Sequence, residues 1–137
     1  MKKIKILFPL DTTERSTHSL NWIKTHFNKN DTEITLMNVR EIIVAEDLLM
    51  PVNMWDMREE SNLALDEVSL ELEGYTVEKF ATFGYASDQI LKKAEQDNYD
   101  MIIMTKSTKK GLSRMIGSVT SKVIKNTKVP VIVLPEY

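Results

Sequence analysis

Apolar residues along this chain fall in two alternating patterns. Short, nearly continuous runs such as Ile4-Lys5-Ile6-Leu7-Phe8 and Ile34 to Val39 suit strands covered on both faces. Between them, apolar residues recur at helical spacing. Leu20, Ile23 and Phe27 stand at i, i+3 and i+7, and Met57, Ala64, Leu65, Val68 and Leu72 form a second stripe that stops at Gly74. Strand one is expected over Lys3–Leu10, ended by Pro9 and Asp11, with Thr12 or Thr13 capping the first helix and Glu14 in its first turn.

Further along, Tyr75–Phe83 reads as strand three with Gly84 as its turn. A third helix follows, capped by Ser87, with Ile90, Leu91 and Ala94 inward and Asn98 at its end. Met101–Met104 is strand four. Helix four follows Ser118, with Val119, Val123 and Ile124 as its apolar positions, and Val129–Leu134 is strand five. The stretch Arg40–Trp55 is irregular, and its Met50, Pro51, Met54 and Trp55 suit a loop packed on the core better than a lid.

Five strands alternating with four helices predict an α/β fold. It is a single three-layer, doubly wound domain over residues 1–137 with a five-stranded parallel sheet. Such sheets bind ligands beyond the carboxyl ends of the strands, where strand order reverses. Asp11, Val39 and the stretch Thr105 to Gly117 all follow such ends. Strand five carries Val131, Ile132, Val133 and Leu134 behind Pro130, which cannot donate to a ladder, so it is expected at an edge. An apolar edge is an aggregation hazard that two-fold pairing removes, so a homodimer through strand five is expected.

Composition narrows the chemistry. With 137 residues and 42% hydrophobic content, one globular core is expected. The absence of cysteine excludes disulfides, thiolate nucleophiles and Cys-ligated metals. The apolar run behind Lys2 and Lys3 is too short for a signal peptide or a membrane span, which points to a cytoplasmic protein. A net charge of −2 gives no reason to expect nucleic acid.

Charge is nevertheless segregated. Lys106, Lys109, Lys110, Arg114, Lys122, Lys125 and Lys128 lie in a stretch without acidic residues, whereas ten acidic residues between Glu41 and Glu73 face Arg58 alone.

No catalytic constellation is evident. His18 and His26 are expected on the solvated side of the first helix, and Glu59/Glu60 and Asp66/Glu67 on the polar face of the second. Ser118 has no neighbouring histidine and suits a helix N-cap. Neither a GxxxxGK[ST] nor a GxGxxG motif occurs. The strand, basic loop and Gly117-Ser118 ahead of a helix are the parts of an anion site, because free N–H groups and the helix dipole meet there.

Several segments together resemble the universal stress proteins of the UspA type: KIKILFPLD, ITLMNV, ASDQILKKAEQDNYDMIIM and GLSRMIGSVTSKVIKNTKVPVIVLP. The resemblance covers almost the whole chain. It implies an adenine nucleotide alpha hydrolase-like fold with sheet order 3-2-1-4-5, dimerisation through the last strand and a role in stress survival.

One branch of that family binds ATP and carries the pattern G-x2-G-x9-G-[ST]. Here the two leading positions are Thr105 and Thr108, the last pair is Gly117 and Ser118, and the loop is one residue shorter. The resemblance also implies that Pro9, Asp11, Val39, Met104 and Val119 border the nucleotide, which would be ATP or AMP, with magnesium in the case of ATP. A β-branched residue resists the positive φ and close approach that glycine allows. Lys106, Lys109, Lys110 and Arg114 can offset part of that loss, a charged hydrogen bond contributing about 1.5–3 kcal/mol. Three functions stay open: a nucleotide-binding regulatory protein, a homodimeric interaction module without nucleotide whose basic loop meets a protein partner or a small anion, and, least favoured, an enzyme such as one that hydrolyses a nucleotide slowly.

Overall fold

The computed structural model describes residues 2–11, 16–41, 54–106 and 117–135. Five strands, β1 (Ile4–Pro9), β2 (Thr32–Arg40), β3 (Thr76–Phe83), β4 (Met101–Thr105) and β5 (Val131–Leu134), alternate with helices α1 (Ser16–His26), α2 (Met54–Ser69), α3 (Ala86–Gln96) and α4 (Ser118–Asn126). All strand pairs are parallel, and the sheet order is β3-β2-β1-β4-β5. This is the α/β architecture and strand order expected from the sequence.

The alternation of β1 explains the layers. Ile6 and Phe8 face a core shared with Leu20 and Ile23 of α1 and Leu65 of α2. Leu7 faces the opposite core, with Ile90 and Ala94 of α3 and Val123 of α4. All three β1 side chains are fully buried, which is why the strand reads as one unbroken apolar run. Tyr99 joins the second core and donates its hydroxyl hydrogen bond to Thr35 Oγ1 at 2.7 Å. Burial pushes the Tyr99 phenol upward.

Element ends follow local chemistry. A short 3-10 turn, Leu70–Leu72, extends α2, and Gly74 at φ +91° ends it; a Cβ there would approach Lys29 Cδ to 2.7 Å. Asn98 at φ +55° turns the chain after α3, as expected from its tolerance of that region.

Five expectations need correction. Ser87 does not cap α3: Tyr85 takes that position, and Ser87 is buried one residue inside the helix. Ser118 is not the cap of α4, because Gly117 is. Ile124 is 43% exposed; Thr120, with its short side chain, takes the inward position beside Val123. Trp55 begins the outer face of α2 and is 76% exposed instead of packing on the core. Strand five starts at Val131, beyond Pro130, rather than at Val129.

Thr12, Thr13, Glu14, Met50 and Pro51 lie outside the described residues. Pro130 still serves the sheet by accepting the Ile102 N–H at 2.9 Å, and β5 is at the edge as anticipated. His18 and His26 are on exposed positions of α1, but His26 is not merely solvated. Its ring stacks on Trp22 at 4.2 Å, and Nδ1 lies 2.8 Å from the Trp22 carbonyl. Among the described residues no helix is long and apolar enough to cross a membrane.

The core assignment predicts a contrast measurable by urea titration. Phe8→Ala should lower the unfolding free energy by about 3–5 kcal/mol, while Leu63→Ala on the exposed side of α2 should change it by no more than about 0.5 kcal/mol.

Candidate functional site

Because β1 pairs with β2 on one side and β4 on the other, the chains leaving β1 and β4 diverge toward opposite layers. A cavity of about 220 Å³ opens between them. Pro9, Leu10 and Asp11 bound it at the end of β1, and Met104, Thr105 and Lys106 at the end of β4. Met37 and Val39 of β2, Ala86 and Ile90 of α3, and Val119 and Thr120 of α4 complete the wall. Ligand clefts usually measure roughly 300–1,000 Å³, so this cavity lies just below that range.

Backbone pairing shapes the opening. Leu10 N–H donates to Met37 O at 2.9 Å, and the buried Asn38 side-chain amide donates to Leu10 O at 3.0 Å. These bonds hold the exit of β1 against β2. On the other side Lys106 N–H donates to Leu134 O at 2.7 Å, which carries β4–β5 pairing one residue past Thr105. That N–H is therefore committed to the sheet. The Thr105 hydroxyl shares a hydrogen bond with Ser19 of α1, a side chain only 1% exposed. With the hydroxyl held by α1, Thr105 does not plug the cavity.

Beyond the cavity lining, the end of β2 is held by turn and charge contacts. Gly84 N–H donates to Arg40 O at 3.0 Å, and Arg40 reaches Ser61 Oγ at 3.0 Å and Glu60 at 3.1 Å. Glu60 is thus an ion-pair partner of the β2 exit. Asp66 likewise pairs with Lys79 of β3. Both acidic residues lie on the polar face of α2 as expected, but they are ion-paired rather than only solvated.

Six of the nine proposed nucleotide-contacting residues border the cavity: Pro9, Asp11, Val39, Met104, Thr105 and Val119, and Lys106 joins them. Gly117 and Ser118 do not line the cavity; they are the N-cap and first residue of α4, just ahead of Val119, which does. Thr108, Lys109, Lys110 and Arg114 lie outside the described residues.

Sequence reasoning missed Leu10, Met37, Ala86, Ile90 and Thr120. Asn38 and Ser19, which brace the rim, were also missed. Asn38 gave one available signal, an amide inside an otherwise apolar strand, since a buried amide needs a partner. The others are ordinary core residue types, and only the fold brings them to the opening. Among the described residues no three His, Asp or Glu side chains gather as a metal site.

The parallel sheet and the crevice at its reversal define a doubly wound α/β protein of the kind that takes ligands at the switch point. The sequence profile of the universal stress protein family matches residues 4–135. A universal stress protein of Methanocaldococcus jannaschii, MJ0577, is 30% identical, the match covering 95% of this chain and 93% of its own length. The solved structure of MJ0577 superposes with a TM-score of 0.80 at 28% identity, over 100% of this chain and 99% of that one.

Two further solved structures share the fold at lower identity. A universal stress protein from Arabidopsis thaliana with AMP bound gives a TM-score of 0.72 at 18% identity, covering 98% and 92% of the two chains. A universal stress protein in complex with cAMP gives 0.66 at 16%, covering 98% of each. This chain belongs to the universal stress protein family.

The Ser19–Thr105 bond predicts a measurable coupling. Thr105→Val strands the buried Ser19 hydroxyl, at a cost of about 1–3 kcal/mol, and Ser19→Ala strands the half-buried Thr105 hydroxyl at a smaller cost. The double variant should cost less than the sum by at least about 0.5 kcal/mol in a urea double-mutant cycle.

Proposed function

We propose that this chain is a regulatory protein that takes an adenine mononucleotide, AMP or ATP, in the crevice between the ends of β1 and β4. The observation that carries this reading is the cavity itself: an apolar slot with a carboxylate at one lip and a lysine at the other. The chemistry of the walls fits the parts of such a ligand. Met37, Val39, Ile90 and Met104 offer flat apolar contact to a base. Asp11 would accept hydrogen bonds from ribose hydroxyls.

The first-turn N–H groups of α4, at Ser118, Val119 and Thr120, have no intrahelical carbonyl to serve, and with the helix dipole they suit phosphate. Lys106 adds a cation on that side. That relatives of the same fold were solved with AMP and with cAMP supports the choice of ligand. For ATP, magnesium would travel with the phosphates.

Thermal unfolding with and without AMP, ATP and ATP–magnesium tests this reading. At a hundred times the dissociation constant, a ligand adds about 2.7 kcal/mol of stability. A rise in midpoint with AMP or ATP is expected. It should vanish in Val39→Trp, whose indole fills the slot from a strand position that tolerates aromatics. No shift at millimolar nucleotide, or an undiminished shift in Val39→Trp, contradicts the proposal.

The proposal includes pairing of two copies along β5. Its free edge carries Val131, Ile132 and Val133, all only half-buried, and a second copy would cover it. Light scattering should report a dimer for the parent and a monomer for Val133→Lys with unchanged circular dichroism. A dimer that survives the substitution moves the interface elsewhere.

A further inference from the structure

The outer face of α2 carries a feature that the nucleotide crevice does not use. Ser61 and Leu65 are buried, so α2 turns that side to the sheet. On the outer side, at successive steps of four, four, three and four residues, stand Trp55, Glu59, Leu63, Asp66, which reaches back to Lys79 of β3, and, in the following turn, Leu70. Trp55, Leu63 and Leu70 are 76%, 60% and 78% exposed. This spacing is that of a helix–helix seam, and it runs along about 22 Å of helix at 1.5 Å per residue. Single exposed apolar side chains are ordinary, but three on one face of a helix offer successive apolar contact points to a partner helix.

Charge says what kind of partner fits. Between Asp56 and Glu73 seven carboxylates face one cation, Arg58. Arg58 lies over the Phe83 ring, 5.3 Å from its centroid. Glu60 is paired with Arg40 and Asp66 with Lys79. Glu59, Glu67 and Glu71 are exposed and make no ion pair with another described residue.

We infer that the seam Trp55–Leu63–Leu70 docks a basic amphipathic helix of a partner protein. Its apolar residues would pack on the three exposed side chains, and its Lys or Arg residues would face Glu59, Glu67 and Glu71. Tryptophan is a frequent energetic anchor of such contacts, and opposite charge sets partner choice and encounter rate. A second copy of this chain is a poorer occupant. Its own basic helix, α4, exposes Lys122, Ile124 and Lys125 but has nine residues, about 13 Å, little more than half the seam.

Fluorescence anisotropy with two labelled model helices tests the inference: the leucine–lysine peptide (LKKLLKL)2 and its leucine–glutamate counterpart. The full chain should bind the lysine peptide at least tenfold more tightly than the glutamate peptide. Trp55→Ala with Leu63→Ala should weaken that binding at least tenfold while leaving circular dichroism unchanged, because both side chains are exposed.

Equal binding of the two peptides overturns the inference. So does lysine-peptide binding unaffected by the double substitution, which would be charge attraction without the seam. Sedimentation velocity supplies the remaining arm. Self-association of the parent that Leu63→Lys abolishes would assign the face to a second copy and overturn the partner-helix account.

Discussion

The position of β1 between β2 and β4 governs the rest of the molecule. A strand hydrogen-bonded on both edges and covered on both faces has no solvent contact to spend on polar side chains. Ile6, Leu7 and Phe8 are accordingly apolar and fully buried. The same placement makes the winding reverse at β1: α1 and α2 pack on one side of the sheet, α3 and α4 on the other. The segments leaving β1 and β4 must then part, and the cavity is the space they leave. Fold and site are thus one consequence of strand order, and the bonds at Leu10, Asn38 and Lys106 keep the gap from closing.

Much of this was legible in the sequence because periodicity reports burial. The runs at Ile4–Phe8 and Ile34–Val39 marked interior strands, and Pro130 marked an edge. The strand order came from family resemblance, since apolar runs alone do not say which strands are neighbours. Errors gathered where several residues of similar propensity compete for one role. Ser87 and Ser118 are good caps by type, yet Tyr85 and Gly117 hold the cap positions, and Ser87 is buried instead. Trp55 was misplaced because a large aromatic is usually buried, whereas here it lies on the helix face opposite the sheet.

The site was half legible. Residues flanking the strand ends, such as Asp11, Val39 and Thr105, follow from the general rule about switch points. Those contributed by helix starts, Ala86, Ile90 and Thr120, depend on how α3 and α4 lean over the sheet, and no local signal encodes that. The threonine at position 105 carried the sharpest question, since a Cβ there limits backbone approach. Its hydroxyl is tied to Ser19, which turns a departure from the family pattern into a brace between α1 and β4. The acidic α2 and the basic end of the chain are separated in sequence, and α2 packs on one side of the sheet while α4 packs on the other.

Amide chemical-shift mapping with AMP tests the central claim most directly. The account predicts that shifts concentrate at Leu10, Asp11, Val39, Thr105, Lys106, Val119 and Thr120, around the reversal point of the sheet. Shifts confined to residues remote from that opening, or no shift at millimolar AMP and ATP, would contradict it.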